Sequence, residues 1–242
     1  MVAPPDNDAL WARSLHHSPA GSPALAGVSL GVREGEILAV CGPRGSGKTT
    51  LLHCLSGQTV ADDGEVWFHS TAVHTLSALQ RERLRREHFG WIGPEPSLVP
   101  ELTVWENVAL PLLLRGASPR RARAAALEGL DRLDVGACAP LRPYALTQPQ
   151  RQRAATARAL IALPPVLFAD EPTATLHRAD RALVLRTLLA VARSHRITVV
   201  LATCDPETGA LADRTITLAD GRRVGSPDAA DAEGQAECSL SV

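Results

Sequence analysis

No stretch of the 242 residues approaches the roughly 18 consecutive apolar positions that a membrane-spanning helix needs. The most apolar run, ALIALPPVLFA, is too short and carries two prolines. The N-terminus, MVAPPDND, has neither the basic nor the apolar region of a secretory signal. If the protein serves a membrane, it does so through a partner and not by a direct span. Charge of one sign is also missing: 25 basic residues face 26 acidic ones, for a formal net charge of −1. The basic footprint of a nucleic-acid binder is therefore absent. The five cysteines (Cys41, Cys54, Cys138, Cys204 and Cys238) are odd in number and show no C-x-x-C spacing. That excludes a disulfide framework and a structural zinc site, and it fits a reduced, cytosolic setting. The eight histidines show no H-E-x-x-H or other ligand spacing, so no transition metal is proposed. Scarcest of the charged residues is lysine: Lys48 stands alone, the other 24 of the 25 basic residues being arginine. Arginine cannot replace a compact ammonium in a tight space, so the single lysine marks a site.

With 45% apolar residues the chain can bury a sizeable core, and one domain with an insertion is expected. Residues 1–8 and 226–242 are rich in small, acidic and turn-forming residues and read as disordered tails. Between them, EILAVCG, GEVWF, PPVLFAD and ITVVLAT read as strands, several too uniformly apolar to have a wet face. A doubly covered, mainly parallel sheet follows. Helical periods occupy LSALQRERLRREHF, Pro119 to Leu133 and Gln148 to Leu163, with RERLRRE read as a solvated face. The fold class is thus α/β, with a helical insertion over about residues 76–163.

The segment GPRGSGKTT follows the apolar strand ILAVC and precedes LLHCLSG, which reads as a helix closed by Gly57. It satisfies G-x-x-x-x-G-K-[ST] in the strand, loop and helix context that the pattern requires. Gly42, Pro43, Arg44, Gly45, Ser46 and Gly47 form a loop whose backbone N–H groups can wrap a polyphosphate, and Lys48 can reach the β and γ phosphates. Thr49 offers a hydroxyl to magnesium, and Thr50 continues the helix. About 120 residues on, VLFADEPT ends a buried strand in Asp170 and Glu171. Asp170 suits the water shell of Mg2+, and Glu171 suits orientation or deprotonation of an attacking water.

GPRGSGKTTLL, LVPELTVWENVALPLLLRG and RQRAATARALIALPPVLFADEPT occur in the order and spacing of the ABC transporter ATP-binding subunits, which the chain resembles over residues 9–225. The second of these stretches is most similar to the branch that includes lipoprotein-release, cell-division and macrolide-export ATPases. The resemblance implies a P-loop NTPase core of ABC type with an N-terminal β subdomain. It also implies ATP and Mg2+ as ligands and a head-to-tail dimer with a second ABC ATPase chain, identical or different. A membrane permease would be the further partner, which would hold the chain peripherally on the cytoplasmic face of the membrane.

Several family positions are altered. The L-S-G-G-Q signature aligns with Leu146, Thr147, Gln148, Pro149 and Gln150. Thr147 keeps a hydroxyl, Gln148 adds a side chain where backbone must approach phosphate, and Pro149 has no N–H to donate. Thr147 and Gln150 nevertheless form a capping-box pattern, with proline tolerated in the first turn, so the helix should start normally. The glutamine that links the nucleotide site to the membrane subunits falls at Pro94, the aspartate of the loop after the catalytic glutamate at His177, and the γ-phosphate histidine at Cys204. An adenine-stacking aromatic falls at Pro19. The residues leave two functions open: an ATPase subunit whose hydrolysis is slow or depends on a partner, and a non-hydrolysing, nucleotide-responsive scaffold. A soluble member acting on ribosomes or DNA fits less well, because neither a second cassette nor a long coiled coil is present.

Overall fold

A computed structural model describes residues 7–19, 22 and 24–225. The expected tails therefore lie outside the described residues, except that Asn7 and Asp8 correct the first of them. The Asn7 carbonyl accepts from Glu34 N at 3.2 Å, and Asp8 already begins the first strand. The chain divides into two compact units, Met1–Arg83 with Val200–Val242, and Leu84–Val199.

The first unit begins with β1 (Asp8–His17), β2 (Leu25–Arg33), β3 (Ile37–Cys41), α1 (Lys48–Leu55), β4 (Asp63–Phe68) and β5 (Thr71–Ala72). The helix α2 (Ala78–His88) runs into the second unit, which holds β6 (Phe89–Ile92), α3 (Val104–Leu114), α4 (Pro119–Arg132), α5 (Gln148–Leu160), β7 (Val166–Asp170) and α6 (Arg178–His195). The boundary falls inside β8 (Thr198–Thr203), and α7 (Pro206–Gly209), β9 (Arg214–Ala219) and β10 (Arg222–Val224) complete the first unit.

In the first unit β2-β1-β4-β5 form an antiparallel sheet, the expected N-terminal β layer. A second strand order, β10-β9-β3-β8, has β3 parallel to β9, from Leu38 opposite Arg214 to Cys41 opposite Thr217. Leu38, Ala39 and Val40 are fully buried, as a strand covered on both faces must be. An ion pair and a hydrogen bond at the strand's start support the register: Arg214 Nε donates to Glu36 Oε1 at 2.6 Å, and Ile37 N donates to Asp213 Oδ2 at 2.9 Å.

In the second unit the order is β8-β7-β6, with β6 parallel to β7. A helical core of Val104, Val108, Ala122, Ala126, Leu130, Ala154 and Ala157 packs α3, α4 and α5 together. Alanines at the contacts let the helices approach closely, and the fully buried Asn107 ties the preceding loop down. Its Oδ1 accepts from Val99 N at 2.7 Å, and its Nδ2 donates to the carbonyls of Val99, Leu102 and Thr103 at 3.0, 3.2 and 3.0 Å.

Two helix ends differ from expectation by one or two residues, α2 starting at Ala78 and α4 ending at Arg132, and two more differ for a visible reason. The helix expected to run through Phe89 stops at His88, because Phe89 is the first residue of β6 and stacks edge-on against Phe168 of β7 at 5.3 Å. The helix expected to reach Leu163 stops at Leu160; Leu163 takes φ +44 ahead of Pro164, whose ring disfavours helix in the residue before it. The charged α2 buries none of its residues. Among the described residues no helix is long and apolar enough to cross a membrane.

Candidate functional site

The loop that joins β3 to α1 has the shape its glycines dictate. A Cβ on Gly42 would stand 2.2 Å from the Leu218 carbonyl oxygen and 2.7 Å from Ser46 Oγ. Gly47, the N-cap of α1, has φ +98, and a Cβ there would meet the Ala24 carbonyl oxygen at 2.3 Å. Both positions exclude any side chain. Ser46 N donates to the Pro43 carbonyl at 3.3 Å, and Gly221 N donates to the Ser46 carbonyl at 3.2 Å, which ties the loop to the hairpin of β9 and β10.

Lys48 is 6% exposed, and its Nζ donates to the carbonyls of Gly42 and Pro43 at 2.8 and 2.9 Å. The ammonium is thereby pinned inside its own loop. No side chain caps α1 and no acidic residue occupies its first turn. Its leading N–H groups, at the positive end of the helix dipole, therefore form an anion-binding end. Ser46 Oγ is buried without a hydrogen-bond partner among the described residues, as befits a hydroxyl kept for a ligand. Pro43, Arg44, Gly45 and Thr49 are exposed and Thr50 is half-buried. This cradle fits a polyphosphate.

In the second unit every residue of β7 is buried, ending in Asp170 at 2% exposure. Glu171 follows, half-buried, with φ +46, a left-handed conformation uncommon for a residue with a side chain. The turn continues with Ala174 N donating to the Glu171 carbonyl and Leu176 N to the Thr173 carbonyl, both at 3.1 Å. The exposed His177 is the N-cap of α6 and makes no side-chain capping bond. The buried carboxylate of Asp170 and the hydroxyl of Thr49 are hard oxygen donors of the kind Mg2+ selects.

The altered signature starts α5 with a complete capping box. Thr147, at φ −69 and ψ 161, accepts the N3 backbone N–H on its hydroxyl, and Gln150 Oε1 accepts from Thr147 N at 2.9 Å. Arg151 N already donates to the Thr147 carbonyl at 3.0 Å. With Pro149 lacking an N–H, the backbone donor of Gln148 alone is left in the first turn, and the Gln148 side chain is drawn sideways by Arg151 Nη2 at 3.2 Å. An open cavity of about 470 Å³ adjoins it, lined by Glu95, Pro96, Leu98, Tyr144, Gln148 and Arg151, with Tyr144 76% exposed.

The remaining sequence-derived positions are surface ones. Pro94 is exposed two residues past β6, and Cys204 is exposed one residue past β8. The exposed Pro19 accepts from Ser22 N at 3.1 Å through its carbonyl.

Two linkages escaped the sequence. Gln152, fully buried in α5, donates through Nε2 to the carbonyls of Gly93 and Pro172, each at 2.9 Å. Arg153 pairs with Asp180 in the first turn of α6 and, at 3.6 Å, with Asp134. The signal for Gln152 was its place on the same helical stripe as Ala155, Thr156 and Ala159, all buried.

Comparison with known proteins agrees with this geometry. The family described as ABC transporter matches residues 25–174. The uncharacterized ABC transporter ATP-binding protein YbbA of Escherichia coli K12 is 38% identical over 198 residues, covering 82% of this chain and 87% of the relative. The lipoprotein-releasing system ATP-binding protein LolD of Paramagnetospirillum magneticum is 37% identical over 199 residues, covering 81% and 87%. The dimeric, ADP- and Pi-bound post-hydrolysis structure of the ATP-binding cassette MJ0796 superposes with a TM-score of 0.85 at 32% identity, covering 89% of this chain and 97% of that one. The chain belongs to the ABC transporter family, as an ATP-binding subunit with relatives in the lipoprotein-release branch.

Proposed function

We propose that this subunit binds MgATP on the loop of residues 42–49 and passes its nucleotide state to a membrane permease, while hydrolysing ATP slowly or only with a partner chain. The observation that carries the reading is the contrast between two helix starts: α1 is open for an anion, while the first turn of α5 has lost a backbone donor to Pro149 and carries the Gln148 side chain. In this reading Lys48 and the loop amides hold the β and γ phosphates, and Glu171 orients the attacking water. Thr49 and Asp170 would hold Mg2+, whose charge offsets that of the phosphate oxygens when it is bound. Leu146, Thr147, Gln148, Pro149 and Gln150 would face the nucleotide of a second ABC chain, as the signature does in the family, and would offer it few donors. Removal of one preorganised donor from a transition state slows turnover by about 10²- to 10³-fold, so binding outlasts catalysis.

Coupling to a permease on the cytoplasmic face of the membrane is supported by the cavity beside Tyr144, which exposes a large amphipathic ring next to segment 95–100. Whether the second chain is identical or carries a full signature decides which nucleotide receives the altered donors. A scaffold without turnover is favoured by one observation, Pro149 in the first turn of α5, which removes a backbone donor at a signature position.

Radiolabelled ATP binding with Mg2+, together with phosphate release from the native chain and from Glu171→Gln, separates the two. Binding with release that Glu171→Gln abolishes supports the ATPase. Binding without any Glu171-dependent release, alone or with a partner ATPase chain, supports the scaffold.

A further inference from the structure

Glu171 opens a turn with two local hydrogen bonds, from Ala174 N to its own carbonyl and from Leu176 N to that of Thr173, both at 3.1 Å. Its backbone is left-handed at φ +46, and such a conformation persists only where neighbouring groups hold it. Pro172, next in the chain and buried, has no N–H, so its carbonyl is the main-chain group through which the turn can be gripped. The group that grips it is the Gln152 side chain of α5, fully buried, with Nε2 2.9 Å from the Pro172 carbonyl oxygen and 2.9 Å from that of Gly93. Both partners are acceptors, which fixes the NH2 end of the amide against them. The other end, Oε1, is buried and accepts no hydrogen bond among the described residues. An orphan acceptor at full burial is a penalty that packing alone does not require.

The approach of α5 is itself enforced. A Cβ on Gly90 of β6 would meet the Ala159 carbonyl oxygen at 2.8 Å, so the helix lies directly on the strand. With Ile92 opposite Ala169 in the parallel pair, Gly93 and Pro172 both follow the same ends of adjacent strands. One amide with two protons bridges them.

We infer that Gln152 is a positioning residue for Glu171: its side-chain amide holds the left-handed turn that aims the carboxylate, and ties that turn to the carbonyl immediately before Pro94. The inference rests on the reading of Glu171 as the water-orienting group. It also assigns the link between segments 93–94 and 171–172 to a residue of α5, since Pro94 offers no side-chain amide for it.

Hydrogen exchange and kinetics on the full chain test it. Gln152→Leu removes both donors while keeping a side chain of similar bulk. Asn107→Ala serves as a destabilised comparison elsewhere in the same unit. The expected result is exchange at the amides of Ala174 and Leu176 faster by about tenfold or more in Gln152→Leu, with Leu51 in α1 unchanged. The comparison variant should lower the Tm without moving exchange at those two amides. In turnover, kcat should fall by about tenfold or more while the KM for ATP holds, a split that general destabilisation does not produce. If the chain's own turnover is too slow to measure, the exchange difference decides. Unchanged exchange in a folded Gln152→Leu overturns the inference alone, as does faster exchange with undiminished kcat. Wild-type phosphate release in Glu171→Gln removes the reading beneath it and overturns both. Should the leucine variant not fold, Gln152→Met, which keeps the unbranched length, is read in the same way.

Discussion

Replacing Lys48 by alanine removes the only ammonium side chain in the protein, and its effect on nucleotide affinity follows from what that ammonium touches. In the free loop Nζ donates to two neutral carbonyl oxygens, those of Gly42 and Pro43, at 2.8 and 2.9 Å. A triphosphate exchanges neutral acceptors for charged ones at little cost in side-chain entropy, because the lysine, 6% exposed, is already held in place. A hydrogen bond to a charged group contributes about 1.5–3 kcal/mol, which corresponds to about a 10- to 150-fold weaker Kd for MgATP when it is lost. Lys48→Arg keeps the charge, but its broad planar fork does not match a cradle with space for a compact ammonium. It should lose about tenfold, or about 1.4 kcal/mol. Isothermal titration calorimetry with MgATP measures both, and circular dichroism establishes that the variants are folded. A folded Lys48→Ala whose Kd lies within twofold of the native value would refute the assignment of this loop as the phosphate site, and with it both functional readings.

Asn107→Ala strips four hydrogen bonds from the fully buried clamp on residues 99–103 and should lower the unfolding free energy in urea by about 2–4 kcal/mol; a loss below about 1 kcal/mol would mean the loop is held by other contacts. Combining Gln148→Gly with Pro149→Gly returns an N–H to the first turn of α5 and clears the side chain beside it, so ATP-dependent association in a Glu171→Gln background should strengthen by about tenfold or more. Sedimentation velocity with and without MgATP reads that change, and identical profiles for the parent and the double variant would remove the signature from the account. The Glu106 carboxyl is held below its ordinary pKa, first by the Thr103 hydroxyl at 2.6 Å and then by the Thr103 N–H at 2.8 Å. A depressed folded-state pKa gives stability that is present above the ordinary carboxylate range and lost as the pH falls through the folded value. Acid unfolding of Glu106→Gln should accordingly lose part of the pH dependence that the native chain shows, and superimposable pH profiles would contradict the pairing.

What the sequence made legible is what a short stretch of backbone demands by itself. At Gly42 and Gly47 the requirement is steric, a carbonyl oxygen within 2.3 Å of where a Cβ would be, so glycine is the only answer and the pattern can be read from nearby residues alone. The capping box at Thr147 and Gln150 is equally local, and it is present. The apolar strands were visible because burial on both faces leaves nothing polar in β7 or β8 until Asp170 and the flanking threonines. The stripe could mark Gln152 as buried but not what it holds, since its partners lie 59 and 20 residues away and a polar residue among alanines carries no mark of which carbonyls it will meet. The left-handed turn at Glu171 and the pairing of Arg153 with Asp180 are of the same long-range kind. The end of α5 at Leu160 was missed for another reason. The apolar residues up to Leu163 continue a helical period, and only Pro164 opposes it.

The two helix starts differ in a way that stability alone does not explain. A helix with glycine at its N-cap is less stable by roughly a few tenths of a kcal/mol than one with serine, threonine or aspartate there, and α1 accepts that disadvantage, with no acid in the first turn either. A negatively charged ligand restores what the missing cap withholds, so an open start persists where an anion is bound. In α5 the cap is kept and a donor is lost. Threonine and glutamine stand where the L-S-G-G-Q pattern has serine and glutamine, and proline deletes a donor of the first turn. A signature that offers its amides across to another chain's phosphate needs bare backbone at the two positions after the cap; here one is proline and the other carries a side chain held by Arg151. On the proposed reading, the chain would keep the half of the phosphate chemistry that serves its own nucleotide and give up part of the half that it would lend to its neighbour's.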